Sequence, residues 1–481
     1  IMEVNVDFIH LRNYTGYSFL WGVMSPERLV ERINELGMSA AGITDRNSMF
    51  GIVPFYRKAI ELNIKPILGS VLVDSFNDSF TLLALNRSGY SHISSIITRI
   101  ALARDEKVRG EDVLLSSPTA GVALLTGGKD GRLWRLLEEE NLLDADFLLS
   151  KLKDQVEHLY LEIQIDDYVS EQRILNELRR LSLKFNIPPV LTSVNNLSDT
   201  DAYPAVELLS SIREHRKYGI NGGDGTRTRQ ILSSEEMCAL ARDWNELTKN
   251  TVKISEMVDV DLELGKFHIP VYPEAKGNDN DYLRMICYGN LGRYYHGESR
   301  RPAIKRLEFE LKIIFEKGLS GFFLIVSDLV KYAREHGIPV GPGRGSAGSA
   351  IVSYLSGITT IDPIKYKLYF ERFLNPERSQ LPDIDIDFGH RERDRIFEYA
   401  RKKYGEERVA HISTICHFGW RGAVRESAKA LGFDEKAISR LTRFFPTYFQ
   451  TGLEEILSSN PDLQKLIDSN GKFMKVLELA S

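Results

Sequence analysis

Cysteine is nearly missing from this chain. Only Cys238, Cys287 and Cys416 occur in 481 residues. They lie too far apart for a disulfide framework or a cysteine-rich zinc site, which fits a reducing compartment. Long apolar runs are missing as well: none approaches the ~20 residues a membrane span needs, so no membrane association is expected and the cytoplasm is the expected location. The opening residues, Ile1-Met-Glu-Val-Asn-Val-Asp-Phe-Ile-His10, carry acids early and do not read as a signal peptide. No internal repeat and no low-complexity tract is present. Basic surplus is also lacking. The net charge of -5 gives no help to nucleic-acid binding, although a local patch, not the total, decides that question. What remains is 43% hydrophobic and 27% charged, ordinary for globular chains and long enough for roughly two to four domains.

One stretch, Gly341 to Phe388, concentrates the chemistry. It opens with Gly341-Pro-Gly-Arg-Gly-Ser-Ala-Gly-Ser-Ala350, placed between an apolar run and an expected helix over Ser349 to Leu355. Glycines let backbone N–H groups point at an anion, and a helix N-terminus adds partial positive charge, so phosphate is the natural guest. The stretch closes with Leu381-Pro-Asp-Ile-Asp-Ile-Asp-Phe388. Read as a strand, it puts Asp383, Asp385 and Asp387 on one face and Ile384 and Ile386 on the other. Residues two apart sit about 6.6 Å apart at Cα, so their carboxylates can converge on two metals about 3.5–4 Å apart. An all-oxygen site suits Mg²⁺. Each half has an ordinary alternative, a plain connection for the glycine turn and a solvated edge strand for the acids. Together they point to metal-assisted phosphoryl or nucleotidyl transfer.

Four blocks carry a resemblance: Val340-Gly-Pro-Gly-Arg-Gly-Ser346, Ile361-Asp-Pro363, Phe370-Glu-Arg-Phe-Leu-Asn-Pro-Glu-Arg378 and Pro382-Asp-Ile-Asp-Ile-Asp-Phe388. In order and spacing they resemble the palm of bacterial DNA polymerase III alpha subunits, the C-family replicases, whose palm is similar to polymerase beta-type nucleotidyltransferases. The resemblance implies that Gly343, Arg344, Gly345 and Ser346 hold the incoming nucleotide. It implies that Asp385, Asp387 and Asp383 are catalytic, Asp385 and Asp387 binding two Mg²⁺ ions with Asp383 beside them.

Upstream, strand and helix alternate. Strands are expected at Asp7 to Leu11, Ala40 to Thr44, Lys65 to Val73, Gly121 to Thr126, His158 to Gln164 and Pro189 to Ser193. Helices are expected at Ser25 to Leu36, Val53 to Leu62, Asp146 to Leu152 and Ser170 to Phe185. The rhythm argues an α/β layout with parallel strands. This region resembles the polymerase and histidinol phosphatase (PHP) domain, a barrel with a metal site of His, Asp and Glu. His10 and Asp45 stand at metal-site positions. Arg12, Tyr14, Arg46 and Val71 stand where further ligands are expected, and Thr192-Ser-Val-Asn-Asn196 lacks its histidine. Arginine and valine do not ligate a divalent metal. The expectation is therefore a lost metal site that leaves only the remnants His10 and Asp45, with Arg12 and Arg46 pairing Asp45.

Further along, Ser233-Ser-Glu-Glu236 reads as a capping box, and the loop His215 to Thr228 reads as solvated. Val271 to Asp281 is the clearest boundary. Helices follow at Tyr282 to Tyr295, Ala303 to Lys317 and Asp328 to Glu335. Arg391 to Arg408 reads as a basic helix that either meets DNA phosphates or is laced with its own glutamates. Val409 to Cys416 reads as a strand, and Phe444 to Tyr448 as packing. Arg421 and Arg425, one helical turn apart, resemble the start of the family's thumb, implying DNA contacts.

The fold class expected is thus α/β multidomain. Residues 1–270 form a PHP-like (β/α) barrel with a degenerate site, residues 271–415 a nucleotidyltransferase palm, and residues 416–481 a truncated helical thumb. The family's third palm aspartate comes from a later strand, and the chain reads as stopping before it. Two functional readings follow. One is the N-terminal portion of a DNA-directed DNA polymerase, inactive alone, whose partners are primer-template DNA, deoxynucleoside triphosphates, a sliding clamp and other replisome subunits reached through regions absent here, and a proofreading exonuclease at the PHP domain. The other is a non-catalytic module of the same stock that binds DNA or partners. A phosphoesterase acting through the first domain lacks its ligands.

Overall fold

The computed structural model describes residues 8–103, 107–198, 202–219, 230–268, 270–375, 382–446 and 452–481. The chain forms two compact units, residues 1–262 with 416–481, and residues 263–415.

The first unit is built on a six-stranded sheet in chain order: β1 (Ala40–Ile43), β2 (Lys65–Val73), β3 (Ser79–Ala84), β4 (Val122–Leu125), β5 (His158–Ile163) and β6 (Pro189–Leu191). Apart from the half-buried first residues Lys65 and His158, the strands are buried throughout, so they read as nearly continuous apolar runs. Helices such as Pro26–Glu35 bury one stripe: Ser25 accepts from the Arg28 N–H as N-cap, Pro26 starts the helix, and Leu29, Val30 and Ile33 face inward. Of the expected strand Asp7 to Leu11, the described part, residues 8–11, closes the sheet and forms no ladder of its own. Its neighbourhood bridges β1 at His10–Ala41 and the far end at Asn13–Asn195. The Gly42 N–H donates to His10 O at 2.7 Å and the Tyr14 N–H to Asn195 O at 2.8 Å. Both sheet edges therefore meet on one stretch of chain, and a barrel results.

Not all pairings are parallel. β2–β3 and β3–β4 are antiparallel, while β1–β2, β4–β5 and β5–β6 are parallel. β3 has no counterpart among the expected strands. It follows β2 after a short turn in which the Asn77 N–H donates to Asp74 O, so a hairpin interrupts the alternation. The Ser233 capping box forms with both of its bonds. The helices Trp420–Ala430, Glu435–Thr442, Leu453–Ser459, Pro461–Ser469 and Lys472–Ala480 share a core around Val424, Leu441, Leu463 and Leu477. The Tyr218 N–H donates to Ala430 O at 2.8 Å.

The second unit is helical around its core. Asp279–Tyr294, Arg300–Glu316 and Ser320–Glu335 pack Leu283, Leu291, Leu307, Leu311, Phe323 and Leu324 together. The helix expected over Asp328 to Glu335 begins earlier, at Ser320, and takes in the apolar run from Gly321. Two expected strands are corrected. Residues 382–387 join no ladder; Phe388, next in the chain, makes one antiparallel bridge to Val340. Val409–Cys416 forms no strand, and Ile412 is 97% exposed. A strand needs a run of bonded neighbours; among the described residues the acidic segment has only the single bridge at its end, and residues 409–416 are in no bridge. The motif Phe370–Arg378, the loop His215–Thr228 and the run Phe444–Tyr448 lie partly outside the described residues. Among those described, no helix is long and apolar enough to cross a membrane.

Candidate nucleotide and metal site

Helix Ser320–Glu335 ends at His336, and the chain turns through Gly337 with φ +68°. It then runs antiparallel to the acidic segment. The Gly341 N–H donates to Asp387 O and the Gly389 N–H to Pro339 O, both at 2.9 Å. This clip fixes the register of the glycine turn against the aspartates. Along the acidic segment Asp383, Asp385 and Asp387 are exposed while Ile384 and Ile386 are half-buried and packed on the core. The alternation read from the sequence is present even though no ladder enforces it: the isoleucines find the core and the aspartates find water.

The turn Gly345–Ser349 is a short 3-10 helix followed by the helix Ile351–Leu355. Gly345 has φ +63°, and a Cβ there would stand 2.7 Å from Asp385 Oδ2. The carboxylate thus lies against bare backbone, which only glycine permits without strain. Arg344 Nη1 donates to Asp387 Oδ1 at 3.0 Å, both side chains being well exposed. Gly343 is held close to Thr359, whose Oγ1 would lie 2.5 Å from a Cβ. Ser346 is half-buried at the start of the turn. Gly343, Arg344, Gly345, Asp385 and Asp387 therefore come together. Asp383 shares their face, but among the described residues no group of three or more His, Cys, Asp or Glu side chains is placed to hold a metal ion. The pair Asp385 and Asp387 offers only oxygen donors beside a Cβ-free turn. That donor set fits a hard divalent cation that takes its remaining ligands from water and phosphate.

The barrel centre is built differently. Arg12 is fully buried, and its Nη1 donates to Glu162 Oε1 at 3.0 Å and to Gly127 O at 2.8 Å. Its Nη2 donates to Asp130 Oδ2 at 3.0 Å and to Tyr14 Oη at 2.9 Å. Burial opposes the guanidinium charge, but Tyr14, Glu162 and Asp130 together hold its pKa above the usual arginine value. Glu162 is completed by Thr192 Oγ1 at 2.7 Å, Thr81 Oγ1 at 2.9 Å and the Gly127 N–H at 3.0 Å. The expected pairing of Arg12 and Arg46 with Asp45 is corrected. Asp45 accepts from the Thr15 N–H and hydroxyl at 2.7 and 2.8 Å and from Ser18 Oγ at 2.6 Å. Burial lifts its pKa against those bonds. Arg46 instead lies over the Trp21 ring, 3.9 Å from its centroid. His10 accepts at Nδ1 from Asn195 Nδ2 at 2.9 Å and donates from Nε2 to Leu232 O at 2.8 Å. That is a neutral tautomer with both nitrogens used, and burial lowers its pKa to about 4. The residues at this centre do not fit a resident metal, because a guanidinium occupies it.

Glu162 escaped the sequence reading. Its signal was a carboxylate inside the otherwise apolar strand His158–Ile163. Arg421 Nε donates to Phe445 O at 2.7 Å, and Arg425 Nη1 faces Glu435 at 3.4 Å. Helix Arg393–Tyr404 is laced with carboxylates: Arg395 meets Glu392, Lys402 meets Glu398, and Lys403 bridges Glu274 and Asp328.

Comparison with known proteins bears on both units. Residues 10–166 match the PHP domain and residues 281–481 match the bacterial DNA polymerase III alpha NTPase domain. The chain is 32% identical to DNA polymerase III subunit alpha of Pseudomonas fluorescens over 98% of its own length and 42% of the relative's. It is 30% identical to DNA polymerase III subunit alpha of Escherichia coli (strain K12), with the same coverage of each chain. The relative from Halalkalibacterium halodurans is 31% identical over 99% of this chain and 43% of its own. The chain thus spans about two-fifths of the length of these curated relatives.

Proposed function

Because this chain belongs to the bacterial DNA polymerase III alpha-subunit family, we propose that it carries the nucleotide- and metal-binding part of a DNA-directed DNA polymerase. The observation that supports this most is the approach of Gly345 to Asp385. The turn's amides take the triphosphate, and Asp385 and Asp387 hold Mg²⁺. Bound divalent ions would lower the pKa of an attacking hydroxyl and neutralise the leaving phosphates. A primer 3′-oxygen then forms a bond to the α-phosphorus, the α–β anhydride bond breaks, and pyrophosphate leaves. Arg344, which pairs with Asp387, exchanges it for phosphate oxygens when substrate arrives.

In this reading residues 1–270 are a PHP-like scaffold, residues 271–415 the palm and residues 416–481 the start of the thumb. Arg421 and Arg425 release Phe445 and Glu435 to meet duplex phosphates. The partners are primer-template DNA, deoxynucleoside triphosphates, a sliding clamp and other replisome subunits, with a proofreading exonuclease at the PHP domain, in the cytoplasm. A second reading is a non-catalytic module that binds DNA or partners. The Arg344–Asp387 pair favours it, since half of the acidic pair is already neutralised.

Primer extension by the native protein that carries this sequence tests the choice. Asp385→Asn or Asp387→Asn is expected to cut the rate at least ~1,000-fold, roughly 4 kcal/mol of transition-state stabilisation, with primed-DNA affinity kept. A native protein that binds primed DNA but extends nothing establishes the second reading.

A further inference from the structure

The glycine turn is gripped from behind by two residues that the proposal above does not use. Helix Arg300–Glu316 buries Ala303, Leu307, Leu311 and Ile314 along one stripe. Glu310 falls within that stripe, and its side chain is wholly out of solvent. A carboxylate there needs compensation. Arg306 Nε, one turn back, donates to Glu310 Oε1 at 2.6 Å. The Val352 N–H donates to Oε2 at 3.1 Å, across 42 residues of chain. Arg306 also reaches past Glu310: its Nη2 donates to Ser349 O at 3.1 Å and to Leu368 O at 3.2 Å.

Ser349 is the last residue of the turn, and Val352 lies in the first turn of the helix that follows. The pair therefore holds the chain on both sides of Ala350, by the carbonyl before it and an amide after it. It also ties in the segment after Ile361-Asp-Pro363 through Leu368. The first turn of that helix thus already has an internal carboxylate. The turn Gly345–Ser349 has no side-chain cap at its own start. The backbone that lies against Asp385 is that of the turn itself, at Gly345.

We propose that Arg306 and Glu310 are positioning residues for the nucleotide: they lock the trailing end of the Gly345–Ser349 turn so that its leading amides stay aimed at the phosphates beside Asp385 and Asp387. The identity of the ligand rests on the polymerase reading; the brace itself does not. The physical reason is entropy. Gly343 and Gly345 both sit at positive φ, and a turn this free would have to be ordered at every binding event unless its frame already holds it. Glu310 is a costly way to build a core, since burial lifts its pKa to about 7 against the pull of its backbone donors and Arg306. An apolar residue would fill the volume but leave the Val352 amide and the Arg306 Nε without their acceptor.

The test uses Glu310→Leu, Glu310→Gln and, should the first misfold, Arg306→Lys, all in the native protein. Amide hydrogen exchange is read over residues 345–352, and KM and kcat for deoxynucleotide are read in primer extension. Glu310→Leu is expected to speed exchange in that segment at least tenfold while leaving helix Asp279–Tyr294 unchanged. It is expected to raise KM at least tenfold with primed-DNA affinity unaltered. Glu310→Gln, which keeps an oxygen for Val352, is expected to recover most of the KM. Unchanged exchange in Glu310→Leu and Arg306→Lys overturns the brace. Faster exchange with an unchanged KM overturns the positioning role and leaves Glu310 structural. A wild-type protein that shows tight exchange but no extension at all sinks the polymerase reading, and with it the nucleotide as the ligand, while the exchange data still judge the brace.

Discussion

At the barrel centre Glu162 is buried and meets Arg12, two threonine hydroxyls and a backbone amide. On the acidic segment Asp385 and Asp387 stand in water, with one exposed arginine on Asp387 and a bare glycine under Asp385. Both places gather negative charge, and they balance it in different ways. The barrel carries its counter-charge inside the chain, so its charge balance is complete without an ion. The acidic segment leaves its charge open to whatever arrives. A buried site filled by a guanidinium is a structural element. An exposed one beside a Cβ-free turn is where the proposed function puts cations and phosphate.

The largest expected effect comes from breaking the closed site. Arg12→Met should leave Glu162 buried and unpaired, a loss of about 3–5 kcal/mol. The double variant Arg12→Met with Glu162→Leu should regain much of it. All four tryptophans, Trp21, Trp134, Trp244 and Trp420, belong to the first unit, so urea unfolding followed by tryptophan fluorescence reads this unit directly. Equal stability of the single variant and the wild type would mean that the pair is not what balances the barrel.

A smaller effect sharpens the same contrast by pH. His10 titrates near 4 when folded, against the ordinary 6.5, because burial disfavours its charged form. A depressed folded pKa gives stability that is present above about pH 6.5 and is lost as pH falls toward 4. The linkage amounts to about 2 kcal/mol between about pH 7 and about pH 5. His10→Gln should flatten that slope, whatever it does to stability at neutral pH; a slope that survives the substitution assigns it to other groups.

The smallest stability effect belongs to the open site. Gly345→Ala puts a Cβ 2.7 Å from Asp385 Oδ2 at φ +63°, a backbone strain of about 1 kcal/mol. Unfolding should hardly move, while Mg²⁺-dependent binding of a deoxynucleoside triphosphate, measured by calorimetry, should fall about tenfold or more. Intact nucleotide binding in this variant would separate the turn from the phosphates.

The two sites were unequally legible beforehand. The alternation of Asp and Ile announced which way each side chain turns, because period two needs only extended backbone and a nearby core. The β-strand status of that segment was not legible, since a ladder depends on a neighbour elsewhere in the chain. At the barrel, Arg12 and Val71 announced that the ordinary ligands were gone. The partner of Arg12 was not announced: Asp45 is already served by Thr15 and Ser18, close by in space, and the carboxylate that Arg12 meets lies 150 residues away. Glu310 was hidden for a similar reason, because an Arg and a Glu at i, i+4 normally read as an exposed surface pair.

Local chemistry, then, was written in the chain itself: glycines where backbone must approach a charge, alternating acids, helix caps such as Ser25 and Ser233, and motifs of recognisable order. These depend on neighbours a few residues away, so sequence is enough to set them. Which buried charge meets which partner, that β3 turns back as a hairpin, and that Glu310 ties the glycine turn from behind were decided only on folding. Those outcomes follow from contacts between distant segments, where burial makes an unmet charge too costly and so selects an arrangement in which Arg12, Glu162 and Glu310 find partners.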